Sequence, residues 1–291
     1  MYFNNVLVYS GAFEFTYTGA YTTEGDFGGN FVIRFLTSGT LTVTDKVDVS
    51  SVDWFAVGGG GCGGQSGDRE GGGGMGGGGG YTSTVRGATV PTSIQIVIGA
   101  GSTEYTVSGT LVSAGASYAA GVINANGGRS AFAATAWRDN WQTDEWIKYA
   151  ASGGSGGGTG GYAFYATQGG SDGSDGVESV YSSSTSHDKL GGIGQGTTTR
   201  EFGESTGKLY SGGGGGGQKS TSTPTPTPGG DGGGGAGALV SSQFSSTSMA
   251  PSPGAANTGG GGGGGAKEDA VTNLIHGASG GSGIVCVRNH R

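Results

Sequence analysis

Glycine and proline make up about a quarter of the 291 residues, with 72 glycines and 6 prolines, while only 33% of residues are hydrophobic and 12% charged. A formal net charge of −7, from 14 basic and 21 acidic residues, argues against the basic footprint that nucleic-acid binding needs. No run approaches the ~18 apolar residues of a membrane span, no Asn-x-Ser/Thr sequon marks a secreted glycoprotein, and the start Met1-Tyr2-Phe3-Asn4-Asn5-Val6-Leu7 lacks the basic and apolar parts of a signal peptide.

The first 57 residues carry the clearest strand patterns. Phe13-Glu14-Phe15-Thr16-Tyr17-Thr18 alternates as a half-buried strand does, residues 31–36 form a denser β-type run, and 40–44 and 47–57 follow. Glycines at 11, 19, 25, 28, 29 and 39 punctuate these runs as turns. With Phe13, Phe15, Tyr17, Phe31, Phe35 and Trp54 as a modest core, residues 1–57 are expected to form a small N-terminal β-domain for attachment or packing. Val52-Asp53-Trp54-Phe55-Ala56-Val57 then runs straight into Gly58-Gly59-Gly60-Gly61-Cys62-Gly63-Gly64, without the polar fade-out that precedes a linker. Further strands are expected at 93–98 and, more weakly, 105–112. A last strand at 283–288 is expected to return and pair with the early ones.

Between these lie glycine runs at 58–64, 71–80, 153–161, 212–217, 229–237, 259–265 and 277–283, with weaker ones at 99–101, 169–176 and 191–196. Such runs are either flexible linkers or polyglycine II rods, which share the three-residue turn and ~3.1 Å rise of polyproline II. Ordering a residue costs about 1–2 kcal/mol, with glycine at the top of the range. A hydrogen bond returns about 0.5–1.5 kcal/mol and a Cα–H···O contact about 0.5–1 kcal/mol. A lone rod therefore unravels, whereas a bundle with every peptide group paired breaks even. Only glycine lets rods approach that closely. Seven runs set between strands favour the ordered bundle over linkers. The expected rods are marked by Gly58, Gly73, Gly157, Gly214, Gly234, Gly262 and Gly281.

The pure runs 212–217 and 259–265 are expected inside the bundle. Runs carrying Cys62, Met75, Ser155, Thr159 or Asp231 are expected at its edges with those side chains outward. The fold class is therefore mostly β and irregular with little α-helix: a β-domain over 1–57, then a polyglycine II bundle with protruding loops over 58–291, closed by the strand 283–288. Two cysteines are too few for a disulfide framework; Cys62 and Cys286 are either paired or two buried thiols.

Catalytic motifs are present, and composition accounts for them. Gly-x-Ser-x-Gly occurs at 153–157, 169–173 and 277–281, but none of these follows a buried strand and opens a helix. Gln218 stands where a phosphate loop needs glycine before Lys219-Ser220, and His187, His276 and His290 have no partner spacing. Asp172 and Asp175 faintly resemble a calcium-binding repeat, but the spacing occurs once and a polar loop explains it. No enzyme activity, cofactor or metal is expected.

Residues 136–149 hold three of the four tryptophans among charges: Trp137, Arg138, Asp139, Trp141, Asp144, Glu145, Trp146 and Tyr149. Trp, Tyr and Arg dominate binding hot spots, and indole faces can stack on sugar rings. The same pattern also reads as a short helix whose Trp137 and Trp141, at i and i+4, cover a sheet face. Tyr181 in the Ser/Thr-rich stretch near 182–190 and Phe244 in the Ser-rich 240–257 are further contact candidates. Thr223-Pro224-Thr225-Pro226-Thr227-Pro228 reads as a stiff extended stretch. Val271, Leu274 and Ile275 could make one helical turn. A rigid frame with chemically varied loops is how binding surfaces are diversified.

The alternation from Gly58 to Gly283 resembles the distal tail-fibre adhesins of T-even-like bacteriophages, whose glycines form a polyglycine II sandwich with host-binding loops. Residues 15–19, 29–42 and 280–288 are similar to the glycine-rich tail proteins of prophages in Gram-positive gut bacteria. The N-terminal region departs from the T-even adhesins. The glycine-rich ectodomain of anaplastic lymphoma kinase-type receptors is a more distant likeness. The resemblance implies a virion tail-fibre or tail-tip adhesin, made in the host cytoplasm. It would bind a bacterial surface protein or glycan and other tail proteins, with no nucleic acid and no membrane insertion. A structural virion or cell-surface component without receptor binding is the alternative. An ice-binding polyglycine bundle fits less well, because those carry regular Gly-x-x spacing.

Overall fold

The computed structural model describes residues 13–27, 29–46, 49–66, 73–106, 111–132, 151–162, 166–177, 191–220, 225–241, 248–267 and 274–289. Among them there is no α-helix, and the chain is mostly strand and irregular backbone.

Two five-stranded antiparallel sheets face each other. Strands β1 (Glu14–Tyr17), β4 (Gly39–Asp45), β7 (Ser93–Val97), β8 (Ser117–Ala119) and β9 (Ile123–Ala125) form one, in that order. The other runs β2 (Tyr21–Gly25), β3 (Phe31–Phe35), β15 (Ile284–Asn289), β5 (Ser51–Val57), β6 (Thr82–Thr89). The period of two puts Phe31, Ile33 and Phe35 of β3 inward, opposite Phe15, Tyr17, Leu41, Val43, Ile94 and Ile96. Phe13 and Phe31 pack at 4.9 Å between ring centroids, Tyr17 and Phe35 at 4.6 Å. Each such buried side chain contributes about 1.5–3 kcal/mol.

The returning strand, expected over 283–288, is β15, and it is the central strand of its sheet, between β3 and β5. It is buried on both faces. Val285 and Val287 join the inter-sheet core, while Ile284 and Cys286 join a second cluster with Phe55, Val57, Phe202 and Tyr210. The sheets take strands from both sides of residue 57, since β6 to β9 and β15 all follow it. The weaker strand expected at 105–112 is only an isolated bridge at Thr106 among the residues described there. Leu274 and Ile275 form a short strand rather than a helical turn.

Beyond Val57 the pairing changes period. The N–H groups of Gly58, Gly61 and Gly64 donate to Tyr81, Gly78 and Met75; those of Gly60 and Gly63 donate to Gly281 and Ala278; that of Gly59 donates to Gly115, all at 2.8–3.0 Å. The carbonyls of Gly59 and Cys62 accept from Gly128 and Ala131, those of Gly61 and Gly64 from Gly262 and Gly265, and that of Gly60 from Ser102. A β-strand alternates between two neighbours. A partner that recurs every third residue, in several directions, requires the three-residue turn of polyglycine II. The run 259–265 repeats the pattern: Gly262 and Gly265 donate to Gly61 and Gly64, Gly261 and Gly264 to Gly212 and Gly215.

Rod-to-rod contact is backbone on backbone. A Cβ added at Gly58, Gly73, Gly157, Gly214, Gly234, Gly262 or Gly281 would sit within 3.0 Å of a neighbouring carbonyl oxygen. The edge assignment of the substituted runs is corrected in part. The rods carrying Cys62 and Met75 are as enclosed as the pure runs, and Cys62, Met75, Ser155 and Thr159 are buried; only Asp231 is exposed. Each enclosed side chain sits where a local gap receives it. Met75 packs against Ala131 and Ala151, and Ser155 Oγ accepts from Gly173 N–H at 3.1 Å. Cys62 and Cys286 are two separate buried thiols.

Candidate functional site at the far end of the lattice

The rods have two distinct ends. Val57, Thr82 and Ile284 belong to strands β5, β6 and β15, so residues 58, 81 and 283 mark the sandwich end. At the opposite end the rods pass into short strands. β10 (Gly161–Tyr162), β11 (Gln218–Ser220) and β12 (Leu239–Ser241) form a parallel sheet, each prolonging a glycine run. β13 (Ala266–Lys267) pairs antiparallel with β14 (Leu274–Ile275) beside them. Ala238, Val240 and Ala266, with Ile275 against them, close this end with a small apolar cluster.

The receptor-contact candidates Trp137, Arg138, Asp139, Trp141, Asp144, Glu145, Trp146, Tyr149, Tyr181 and Phe244 all lie outside the described residues. Residues flanking the undescribed segments are described, and five of these segments have flanks tied together by hydrogen bonds. Leu239 and Met249, either side of 242–247, exchange N–H···O bonds of 3.0 and 2.8 Å. Gln218 Nε2 donates to Thr225 O at 2.6 Å across 221–224. Lys267 and Leu274 pair across 268–273, Thr167 N–H donates to Thr159 O at 2.9 Å across 163–165, and Gly64 N–H donates to Met75 O across 67–72.

Residues 133–150 leave after Phe132, whose carbonyl lies against Gly64 at the far end. They return at Ala151, whose carbonyl accepts from Gly157 N–H part-way down the lattice. Met75 fills the space between Ala131 and Ala151, so its side chain props the base of the tryptophan-bearing segment. Residues 178–190 are bracketed by Gly176 and Gly192, joined at 2.9 Å, and Gly192 also donates to Gly157. The structure thus brings the bases of 133–150 and 178–190 side by side. The base of 242–247 lies apart, because rod 211–217 bonds to Gly158 on one side and to Gly235 on the other, and Gln218, which follows the rod, donates to Ala238.

A family model described as a glycine-rich domain matches residues 36–290. The chain belongs to that family. No curated protein matches it. The match spans both the sandwich strands from β4 onward and the lattice of this glycine-rich domain.

The charged groups of the glycine-rich domain that the sequence reading passed over lie at the sandwich. A 3-10 turn, Glu201–Gly203, lies over the outer face of the β15 sheet. Buried Glu201 accepts from Arg34 Nε at 2.7 Å and Nη2 at 2.8 Å, and from Tyr210 OH at 3.1 Å. Burial raises the Glu201 pKa, but the Arg34 hydrogen bonds and charge, with Tyr210, outweigh it and hold the carboxyl below the usual range. Arg288 bridges Asp53 at 3.1 Å and Glu204 at 2.8 Å and lies 4.2 Å from the Phe202 ring centroid. The available signal was residues 199–210, a charged and aromatic stretch set between glycine runs.

Asp172 does not present a free carboxylate. Its Oδ1 accepts from Thr198 Oγ1 at 2.5 Å and Thr199 N–H at 3.1 Å, and Oδ2 from Arg200 Nε at 3.1 Å. Asp175 Oδ1 accepts from Gly194 N–H at 2.7 Å. Among the described residues no three His, Cys, Asp or Glu side chains converge as metal ligands would. Ser155 of the first Gly-x-Ser-x-Gly match is buried against Gly173.

Proposed function

We propose that this glycine-rich domain is a phage or prophage tail-fibre or tail-tip adhesin. In this reading the sandwich end attaches to the tail. The lattice, from its middle to its far end, presents 133–150, 178–190 and 242–247 to a bacterial surface protein or glycan. The protein acts by binding alone, without catalysis or cofactor, and resides in the virion. The observation that supports it is positional: 242–247 is rooted at the far end and 133–150 leaves there after Phe132, while Ala151 and the base of 178–190 lie part-way along a frame whose close backbone contacts resist deformation.

The test exchanges residues 133–150, 178–190 and 242–247 for those of a related chain with another host and follows adsorption. Host range moves with the segments if the reading holds. Unchanged adsorption, with an unchanged melting temperature, overturns it. The competing reading is a structural component whose lattice serves stiffness alone, and it is favoured by the way strands run on into rods. Replacing 136–149 with a short Gly-Ser linker separates the two. The adhesin loses cell binding, whereas the structural component still assembles into particles that adsorb normally.

A further inference from the structure

The strand-to-rod junctions keep their register. Trp54–Val85, Phe55–Thr84, Ala56–Ser83 and Val57–Thr82 pair in the sheet, and the same antiparallel step continues through Gly58–Tyr81, Gly61–Gly78 and Gly64–Met75 in the lattice. On the other side of β5, Phe55–Cys286, Ala56–Val285 and Val57–Ile284 continue through Gly60–Gly281 and Gly63–Ala278. Residues 54–64 are thus flanked by two continuous ribbons in which only the period of hydrogen bonding changes, from two to three. No turn, bulge or hinge separates sandwich from lattice on these three passes.

We propose that this ribbon is a tension-bearing element, making the protein a mechanical strut along the rod axis. Load applied at the two ends acts along the strands and rods. It meets the cross-strand and cross-rod hydrogen bonds in shear, so many must break together. Load applied across the rods opens them one after another. The Glu201 and Arg288 ion pairs add a lateral tie, because residues 200–210 run from the outer face of the sheet directly into rod 211–217. This role does not depend on what the far end binds.

Force spectroscopy on the full chain tests it, using handles on pairs of introduced surface cysteines. The native thiols are buried and do not compete. Ser51→Cys with Thr225→Cys loads the axis; Ser113→Cys with Ala255→Cys loads across the lattice, and all four positions are exposed. An unchanged melt checks that each variant is folded. The expected result is a several-fold longer lifetime at the same load along the axis, with sandwich and lattice lost in one step. Equal or shorter axial lifetimes, or an axial rupture in which the sandwich yields first and the rods persist, overturn the proposal. Loss of receptor binding leaves this readout unaffected.

Discussion

The sandwich and the lattice exclude water by opposite means. Around Phe35 and Trp54 the interior is filled by large side chains on a period of two, and stability scales with the apolar area removed from water. Around Gly77 and Gly214 the interior is filled by backbone, and stability depends on pairing nearly every peptide group at a separation that no Cβ permits. A side-chain core tolerates a change of similar volume. A backbone core has no spare volume at its rod positions, so the regions should differ sharply in how they fail.

The largest effect is expected from placing a methyl group between rods. In Gly77→Ala the Cβ meets the Gly61 carbonyl, and in Gly214→Ala that of Gly262; neither backbone can yield without moving a whole rod. Each variant should lose more than about 4 kcal/mol, beyond the usual range for one substitution, and calorimetry should show no cooperative transition. Gly29→Ala is the control: it has ordinary φ and nothing within 4 Å of the added Cβ, so its stability should stay within about 0.5 kcal/mol of the parent. Equal tolerance at Gly77 and Gly29 would erase the contrast.

Next in size is the side-chain core. Phe35→Ala empties a fully buried site and should cost about 3–5 kcal/mol in denaturant unfolding. Glu201→Gln should follow, at about 1.5–3 kcal/mol near neutral pH, because it leaves the Arg34 guanidinium with the exposed Glu24 as its charged partner. The depressed carboxyl pKa gives the sign of the pH effect. Its stabilisation is fully present above the ordinary glutamate value of about 4.3 and is lost as pH falls through the folded value. The variant should therefore flatten the acid limb of the stability curve and leave the alkaline limb alone.

The smallest effect is chemical. Burial pushes the Cys62 thiol up to about 11 and raises that of Cys286 as well, so neither should react with a thiol reagent at pH 8 in the folded chain. Both should titrate in denaturant. A fast-reacting thiol in the native protein would place its rod or strand at a mobile edge.

The contrast also explains what could be read from the residues. β3 and β15 were legible because their apolar residues form dense or alternating runs, and the rods because glycine marks positions where nothing else fits. β2 and β6 were not. Their Thr, Ser, Glu and Arg side chains line the outermost positions of a sheet, where solvent removes the alternation. The enclosed places of Cys62 and Met75 were hidden for another reason. Whether a side chain fits between rods depends on where neighbouring rods bend or end, as at Ala151 with its φ of 59°, and composition does not record that. At the candidate site, the approach of Ala151, where 133–150 returns, to Gly192 at the base of 178–190 is a property of three-dimensional rod order, which the linear alternation of runs leaves open.

The central claim is that the pure glycine runs are ordered interior structure. Amide hydrogen exchange on the intact chain tests it most directly. The account predicts that the amides of Gly214, Gly217, Gly261 and Gly264 exchange as slowly as those of Val285 and Val287 in the central strand, and that all are released together on global unfolding. Exchange of those glycine amides at the rate of an unstructured peptide, while β15 stays protected, would contradict it.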